Sequence, residues 1–215
     1  MMQGPYNNNP SAEILFQDES VVVCVKPAGT DSQVGMPALL RDQIGGEAFC
    51  IHRLDRDVGG VMVFARSSAA AAALSAAIAD GKLEKYYLAV CAGTLEAPEE
   101  EMRDLLFHDT ARNKTFVVKR LRKGVREAAL RYRVLTATAE HSLVRICLLT
   151  GRTHQIRVQF ASRGMPLLGD AKYGSRIRDC GIALWSAELS FPHPVSGETL
   201  CFSAPPPSVF PWSEF

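Results

Sequence analysis

The sequence predicts an α+β fold, and three observations carry the prediction. Short apolar runs closed by glycine, proline or acidic turn residues recur along the chain and read as strands. An alanine-rich stretch framed by Ser67 and Gly81 reads as a helix, and "HQIRVQFASRG" as another. The segment 111–133, with Gly124 in its middle, reads as a β-hairpin. At 215 residues, 47% of them apolar and 22% charged, the chain has the size and composition of one domain with a real core.

The elements follow in order. Residues 1–12 are polar and rich in Asn and Pro, the composition of a loose, flexible arm. "EILFQDESVVVCVKPAG" reads as two short strands around an Asp-Glu-Ser turn, stopped by Pro27 and Gly29. "TDSQVGMPALLRDQIGGEA" is a loop with a short helix that ends at Gly45-Gly46. "GVMVFA" (60–65) is a continuous apolar run suited to a buried strand. The alanine-rich helix takes Ser67 or Ser68 as N-cap, Leu74 and Ile78 as its larger apolar stripe and Gly81 as its stop. Its small side chains allow close approach to a sheet, and it carries no chemistry. "LEKYYLAVCAG" (83–93) and the alternating "SLVRICLL" (142–149) are strands. Thr150 and Gly151 then turn the chain into the helix that ends at Gly164. "IALWSAELSFPHPVSGETLCFSAPPP" is a strand, a Pro-Gly turn and a strand ahead of a proline-rich tail.

Charge and composition exclude several classes. The net charge of +1 means that positive charge for a nucleic acid must be gathered on one face. No secretory signal and no apolar run of the roughly 18 residues needed to span a membrane is present, so a cytoplasmic location is expected. The six cysteines are at least twenty residues apart and form no CxxC pair, as reduced core thiols would. Cys50 and His52 lack a second ligand pair, so no metal is expected. There is no GxGxxG loop for a nucleotide cofactor and no G-x-S-x-G elbow for a serine hydrolase.

Three charged features stand out. "EAPEEEMRD" (96–104) carries five acidic residues and one arginine, and reads as a solvated face. "ARNKTFVVKRLRKGVREAALRYR" (111–133) carries nine basic residues and one glutamate, interrupted by aliphatic pairs and aromatics. Its hairpin tip is either an arm for phosphates or simply solvated. Arg152, His154, Gln155 and Arg157 cluster at a helix start, where they either converge on an anion or form an exposed basic end. Finally, "CIHRLDRDVGG" sets Asp55 between Arg53 and Arg56. Such a carboxylate is a surface charge, a salt-bridge partner or a catalytic group.

"HRLDRDVGGVMVFA" resembles the HRLDxxTSG motif of the RluA-type pseudouridine synthases. Four further stretches resemble that family in the same order: "VVVCVKPAG", "EKYYLAVCAG", "LLTGRTHQIRVQFASRGMPLLGDAKYG" and "LSFPHPVSGE". Together they span roughly residues 14 to 207, and five ordered matches are far more specific than one HRLD. The resemblance implies a mixed, mostly antiparallel sheet with flanking helices and a central cleft. It implies a catalytic domain over 13–207 with a tail at 208–215, isomerisation of uridine to pseudouridine in ribosomal or transfer RNA, no cofactor, and action as a monomer.

Carried over residue by residue, the resemblance makes Asp55 the nucleophile and Arg53 the side chain that fills the gap left by an extruded base. Tyr87 becomes the tyrosine that packs on the uracil, and Arg157 the basic partner of the aspartate. An ionised carboxylate in a closing cleft needs such a fixed cation, because burial alone raises its pKa. Arg152 and His154 are expected to contact RNA. Without an S4-type RNA-binding domain ahead of the core, the hairpin residues Lys119, Arg120, Arg122 and Lys123 are expected to do so as well. The chain departs from the pattern at Val58-Gly59 in place of Thr-Ser, at Gln159 in place of a histidine, and at Trp185 in place of another. Two other readings exist: a non-catalytic RNA-binding module that keeps the fold, and a hydrolase using Asp55 with Asp57.

Overall fold

The computed structural model describes residues 11–215. The flexible arm expected at 1–12 therefore lies almost wholly outside the described residues. Its last residue, Ala12, is buried, and both of its backbone polar groups bond to the Gln43 side chain, at 3.0 and 2.8 Å.

In chain order the elements are β1 (Glu13–Gln17), β2 (Val21–Lys26), α1 (Gly35–Ile44), β3 (Phe49–Cys50), β4 (Gly59–Ala65) and α2 (Ser68–Ala79). There follow β5 (Glu84–Ala92), β6 (Glu99–Asp109), β7 (Lys114–Val118), β8 (Val125–Ala137) and β9 (His141–Leu148). Last come α3 (Gln155–Ser162), β10 (Leu184–Pro192) and β11 (Thr199–Ser203). The strands form one sheet in the order β1-β2-β4-β10-β5-β9-β8-β6-β7, with β3 on β4 and β11 on β10. Among the described residues only β4 and β10 run parallel, so the sheet is mixed and mostly antiparallel, as expected. β10 forks the sheet: Trp185 and Ser186 pair with β4, and the residues from Glu188 to Pro192 pair with β11.

Both faces of the central strands are covered. Val22, Cys24, Met62 and Phe64 share a core with Met36 and Leu40 of α1 and with Ile156 and Phe160 of α3. The alternate residues Val21, Val23, Val61 and Val63 pack with Ala70 and Leu74 of α2. A strand buried on both faces has no polar position to alternate with, which explains the unbroken run in "GVMVFA". The cap of α2 is Ser67, whose Oγ accepts from the Ala70 N–H at 3.1 Å. The C-terminal tail is docked: Phe210 and Trp212 pack beside Val90, Leu168 and Ala183, and Glu214 meets His141 Nδ1 at 2.8 Å. No helix among the described residues is long and apolar enough to cross a membrane.

The basic segment does not form the expected hairpin. β6 lies between β7 and β8, so Leu105 pairs with Val118 on one side and Glu127 on the other. Residues 119–124 are a crossover past β6. The expectation failed because the acidic run, exposed at Glu96, Glu99 and Glu100 as a solvated face is, also begins a strand. Its glutamates lie beside the basic strand: Glu99 pairs with Arg133, and Glu101 Oε2 accepts from Arg131 Nε at 2.6 Å. Opposite charges across the ladder support residues that are poor strand formers by themselves.

Candidate active site

A cleft of about 1570 Å³ is lined by the loop 50–58, by β5, and by the turn leading into α3. The loop that carries Asp55 is tied down from two sides. Leu54 and Val58 are buried on either side of Asp55, and a turn closes with the Val58 N–H on the Asp55 carbonyl at 3.0 Å. Ser32 bonds both backbone groups of Leu54, at 2.9 and 3.1 Å. Beneath the loop, the fully buried Lys26 Nζ donates to the carbonyls of Thr30 (2.7 Å), Arg56 (2.9 Å) and Pro27 (3.0 Å). Burial pulls this ammonium down to about 8, against the opposing charges of Asp57, Asp31 and Asp55.

Arg157 reaches the loop from α3, a helix buried on nearly all sides. Its Nη1 donates to Asp55 Oδ2 at 2.8 Å, while Nε and Nη2 grip Asp170 at 2.7 and 2.9 Å. Asp170 is only 1% exposed, so the guanidinium is fixed at its back before it meets Asp55. Burial works against the Arg157 charge, but the bonds and charges of Asp170 and Asp55 outweigh it and hold the group fully protonated. The Tyr173 ring lies 5.1 Å from the Arg157 guanidinium carbon.

His154 caps α3 in a left-handed conformation, φ 54, and is buried. Its Nδ1 lies 2.9 Å from Tyr173 Oη and its Nε2 3.7 Å from Asp55 Oδ2. Burial, helped by Arg157, Lys172 and His108 and opposed by Asp55, lowers its pKa to about 4. Tyr87, on β5, is buried and lines the cleft; burial first, and the Asp55 charge second, push its phenol above the usual value. Lys85 projects from the same face of β5 into the cleft, with no hydrogen-bond partner among the described residues. Burial, opposed by Cys50, lowers its pKa to about 8.

Of the residues expected from the sequence, Asp55, Tyr87, Arg157, Arg53, Arg152 and His154 all line this one cleft. Arg53 is exposed at the rim, where Nη1 donates to Gln33 Oε1 at 3.2 Å. Arg152 Nε donates to the Glu127 carbonyl at 3.0 Å. Gln155 turns its side chain back to Thr150, Arg152 and Ala129, so it completes the helix start from within. Lys119, Arg120, Arg122 and Lys123 do not line the cleft, and Arg122 lies over the Phe107 ring at 5.0 Å. Gln159 faces away from the cleft to Asp104, at 2.7 Å. Sequence reasoning missed Lys26, Lys85, Asp170 and Tyr173. The last two stand in the quoted "GDAKYG", but nothing local says which carboxylate a buried arginine will meet. No group of three or more His, Cys, Asp or Glu side chains that could hold a metal ion occurs among the described residues.

Comparison with known proteins finds the RNA pseudouridylate synthase family, whose sequence profile matches residues 20–162. The chain is 33% identical over 222 residues to ribosomal large subunit pseudouridine synthase D of Vibrio parahaemolyticus, covering 91% of this chain and 67% of that one. It is 32% identical over 222 residues to tRNA pseudouridine synthase C of the same organism, covering 89% of each. Among solved structures, human RNA pseudouridylate synthase domain containing 1 superposes with a TM-score of 0.81 at 22% identity, over 96% of this chain and 88% of that one.

Proposed function

Because the chain belongs to the RNA pseudouridylate synthase family, of the RluA type, and is thereby an RNA isomerase, we propose that Asp55 is its nucleophile, Arg157 the cation that keeps Asp55 ionised, and Tyr87 the platform for the uracil. The observation that carries this reading is the 2.8 Å pair of Arg157 and Asp55 in a cleft that Tyr87 also lines. The reaction breaks N1–C1′, turns the uracil and joins C5 to C1′; the C5 proton leaves to solvent and N1 takes one up. A carboxylate can hold the detached fragment by a covalent bond between those steps.

The uridine must leave its stack, at a cost of a few kcal/mol, and stacking on an aromatic returns about 1–3 kcal/mol. Arg53, exposed at the rim, is placed to enter the gap that the base leaves. Arg152, His154 and Lys85 extend the polar lining of the cleft, and the crossover Lys119, Arg120, Arg122 and Lys123 supplies a second, outlying basic contact to RNA. The substrate is ribosomal or transfer RNA, as the names of the two Vibrio relatives suggest. The residues of the proposed site fall within the span 13–207, in keeping with a single catalytic domain, which we take to act as a monomer. The six free cysteines support a reducing, cytoplasmic setting.

Tritium release from RNA labelled at uridine C5 tests the reading. Wild-type protein is expected to release tritium and Asp55→Asn to release none, with RNA binding retained by both. Release by Asp55→Asn would remove the nucleophile assignment. No release by either, on RNA that a relative modifies, would leave a non-catalytic RNA-binding module.

A further inference from the structure

The protons around His154 can be assigned from its neighbours. Tyr173 Oη accepts the Thr115 N–H at 2.8 Å and lies 2.9 Å from His154 Nδ1. The Thr115 hydroxyl is already engaged: it donates to the Thr153 carbonyl at 2.8 Å and faces His108 Nδ1 at 3.1 Å. His154 Nδ1, at 2.9 Å, is the close acceptor for the Tyr173 hydroxyl proton, with the Thr115 hydroxyl its other neighbour. The reverse arrangement would send two protons to Oη and turn the tyrosine's own proton to the Thr115 hydroxyl, which already donates to Thr153 and faces His108. A neutral imidazole with its proton on Nε2 satisfies every group through the bonds of Thr115 and Tyr173.

Nε2 is the ring nitrogen on the side of Asp55. Nε2 lies 3.7 Å from Oδ2, the same oxygen that Arg157 holds at 2.8 Å, and no donor among the described residues reaches Oδ1. We propose that His154, set as the Nε2–H tautomer by Tyr173, is a positioning residue that closes on Asp55 Oδ2 when RNA binds and leaves Oδ1 as the attacking oxygen. The proposal rests on Asp55 being the nucleophile. A gap of 3.7 Å is too long for a hydrogen bond, and contacts of this kind tighten when substrate fills the site. The backbone supports it as well: His154 holds φ 54, a sparsely populated conformation, and so aims its buried ring at the loop. The charged and titratable groups facing the ring are Asp55 from the loop, Arg157 on α3, Lys172 and Tyr173 beyond it, and His108 on β6. With its pKa near 4 the imidazole is neutral at physiological pH, and the positive charge beside Asp55 comes from Arg157.

The test combines a tautomer measurement with kinetics. Nitrogen NMR of histidine-labelled wild-type protein is expected to show Nε2 protonated and Nδ1 bare, and Tyr173→Phe to release that preference. His154→Asn tolerates the left-handed backbone but is too short to reach Asp55. It is expected to lower kcat about tenfold or more, with KM changed by no more than about twofold. His154→Gln returns an N–H near the position of Nε2 and should recover most of kcat. A wild-type proton on Nδ1, a His154→Asn loss confined to KM, or a Gln variant no better than Asn would each overturn the proposal. Asp55→Asn separates this from the nucleophile assignment, because its activity tests only the latter and the tautomer is read without turnover.

Discussion

Trp185 lies against Gly59 across the parallel β4–β10 pair, and its ring fills the space that a side chain at position 59 would need. A Cβ on Gly59 would run into Trp185 Cζ3 and would stand 3.0 Å from Cε3. These are two of the positions at which the chain departs from the RluA-type pattern, serine to Gly59 and histidine to Trp185. One contact accounts for both: a larger ring on β10 requires no side chain on β4. Val58, the neighbouring departure, is buried in the same core as Leu54 and Tyr87. The changes therefore repack the floor under the Asp55 loop, and the Asp55–Arg157 pair stands above them.

Gly59→Ser is expected to destabilise the fold by about 1–3 kcal/mol through overpacking. Trp185→His loses ring packing and the bond from Nε1 to the Ala204 carbonyl, 3.0 Å long. Together the two changes should cost clearly less than their sum, read from denaturant midpoints in a double-mutant cycle. Simple additivity would show that the positions do not compensate each other.

Asp170→Asn keeps the volume behind Arg157 but removes its fixed charge. Leaving a buried guanidinium with a weaker partner should cost about 3 kcal/mol of stability and at least tenfold in tritium release. Wild-type turnover in this variant would mean that Arg157 does not need its brace.

Lys85→Gln should weaken RNA binding and make its salt dependence shallower by about one charge. Replacing Lys119, Arg120, Arg122 and Lys123 with Ala should lower the slope further while leaving kcat intact, since none of them lines the cleft. Filter binding across a salt series reads both. An unchanged slope in the fourfold variant would take the crossover out of the RNA-binding surface.

Acid should destabilise the protein through two histidines. His154 is lowered from 6.5 to about 4 by burial first, and His52 is held well below 6.5 by burial and by Lys85. On acidification the unfolded chain binds these protons first, so the stability they confer is present above pH 6.5 and lost as pH falls toward 4. Denaturation midpoints over that window should fall with pH, and less steeply in His154→Gln. An identical slope in the variant would show that His154 does not contribute.

Much of this architecture was legible in local patterns. The cap Ser67, the unbroken run of β4 and the turn before α3 follow from capping, periodicity and glycine placement, which neighbouring residues decide among themselves. Asp55, Tyr87 and Arg157 could be proposed together because their ordered motifs are dense, and the structure brings all three to one cleft. β6 was not, because glutamates have low strand preference and the strand is held by pairing with the distant β8 and by burial of Met102 and Leu106. The same non-local pairing placed β6 between β7 and β8 and turned a predicted hairpin into a crossover.

The sequence by itself determined most of the elements, β4, α2 and α3 among them, and put forward Asp55 as the candidate carboxylate, since hydrophobic spacing and turn chemistry act over a few residues. The tertiary structure alone decided which groups meet at that carboxylate. Asp170 behind Arg157, Tyr173 behind His154 and Lys26 beneath the loop are brought there from distant parts of the chain by burial. A buried charge or N–H must find a partner wherever the packed fold supplies one.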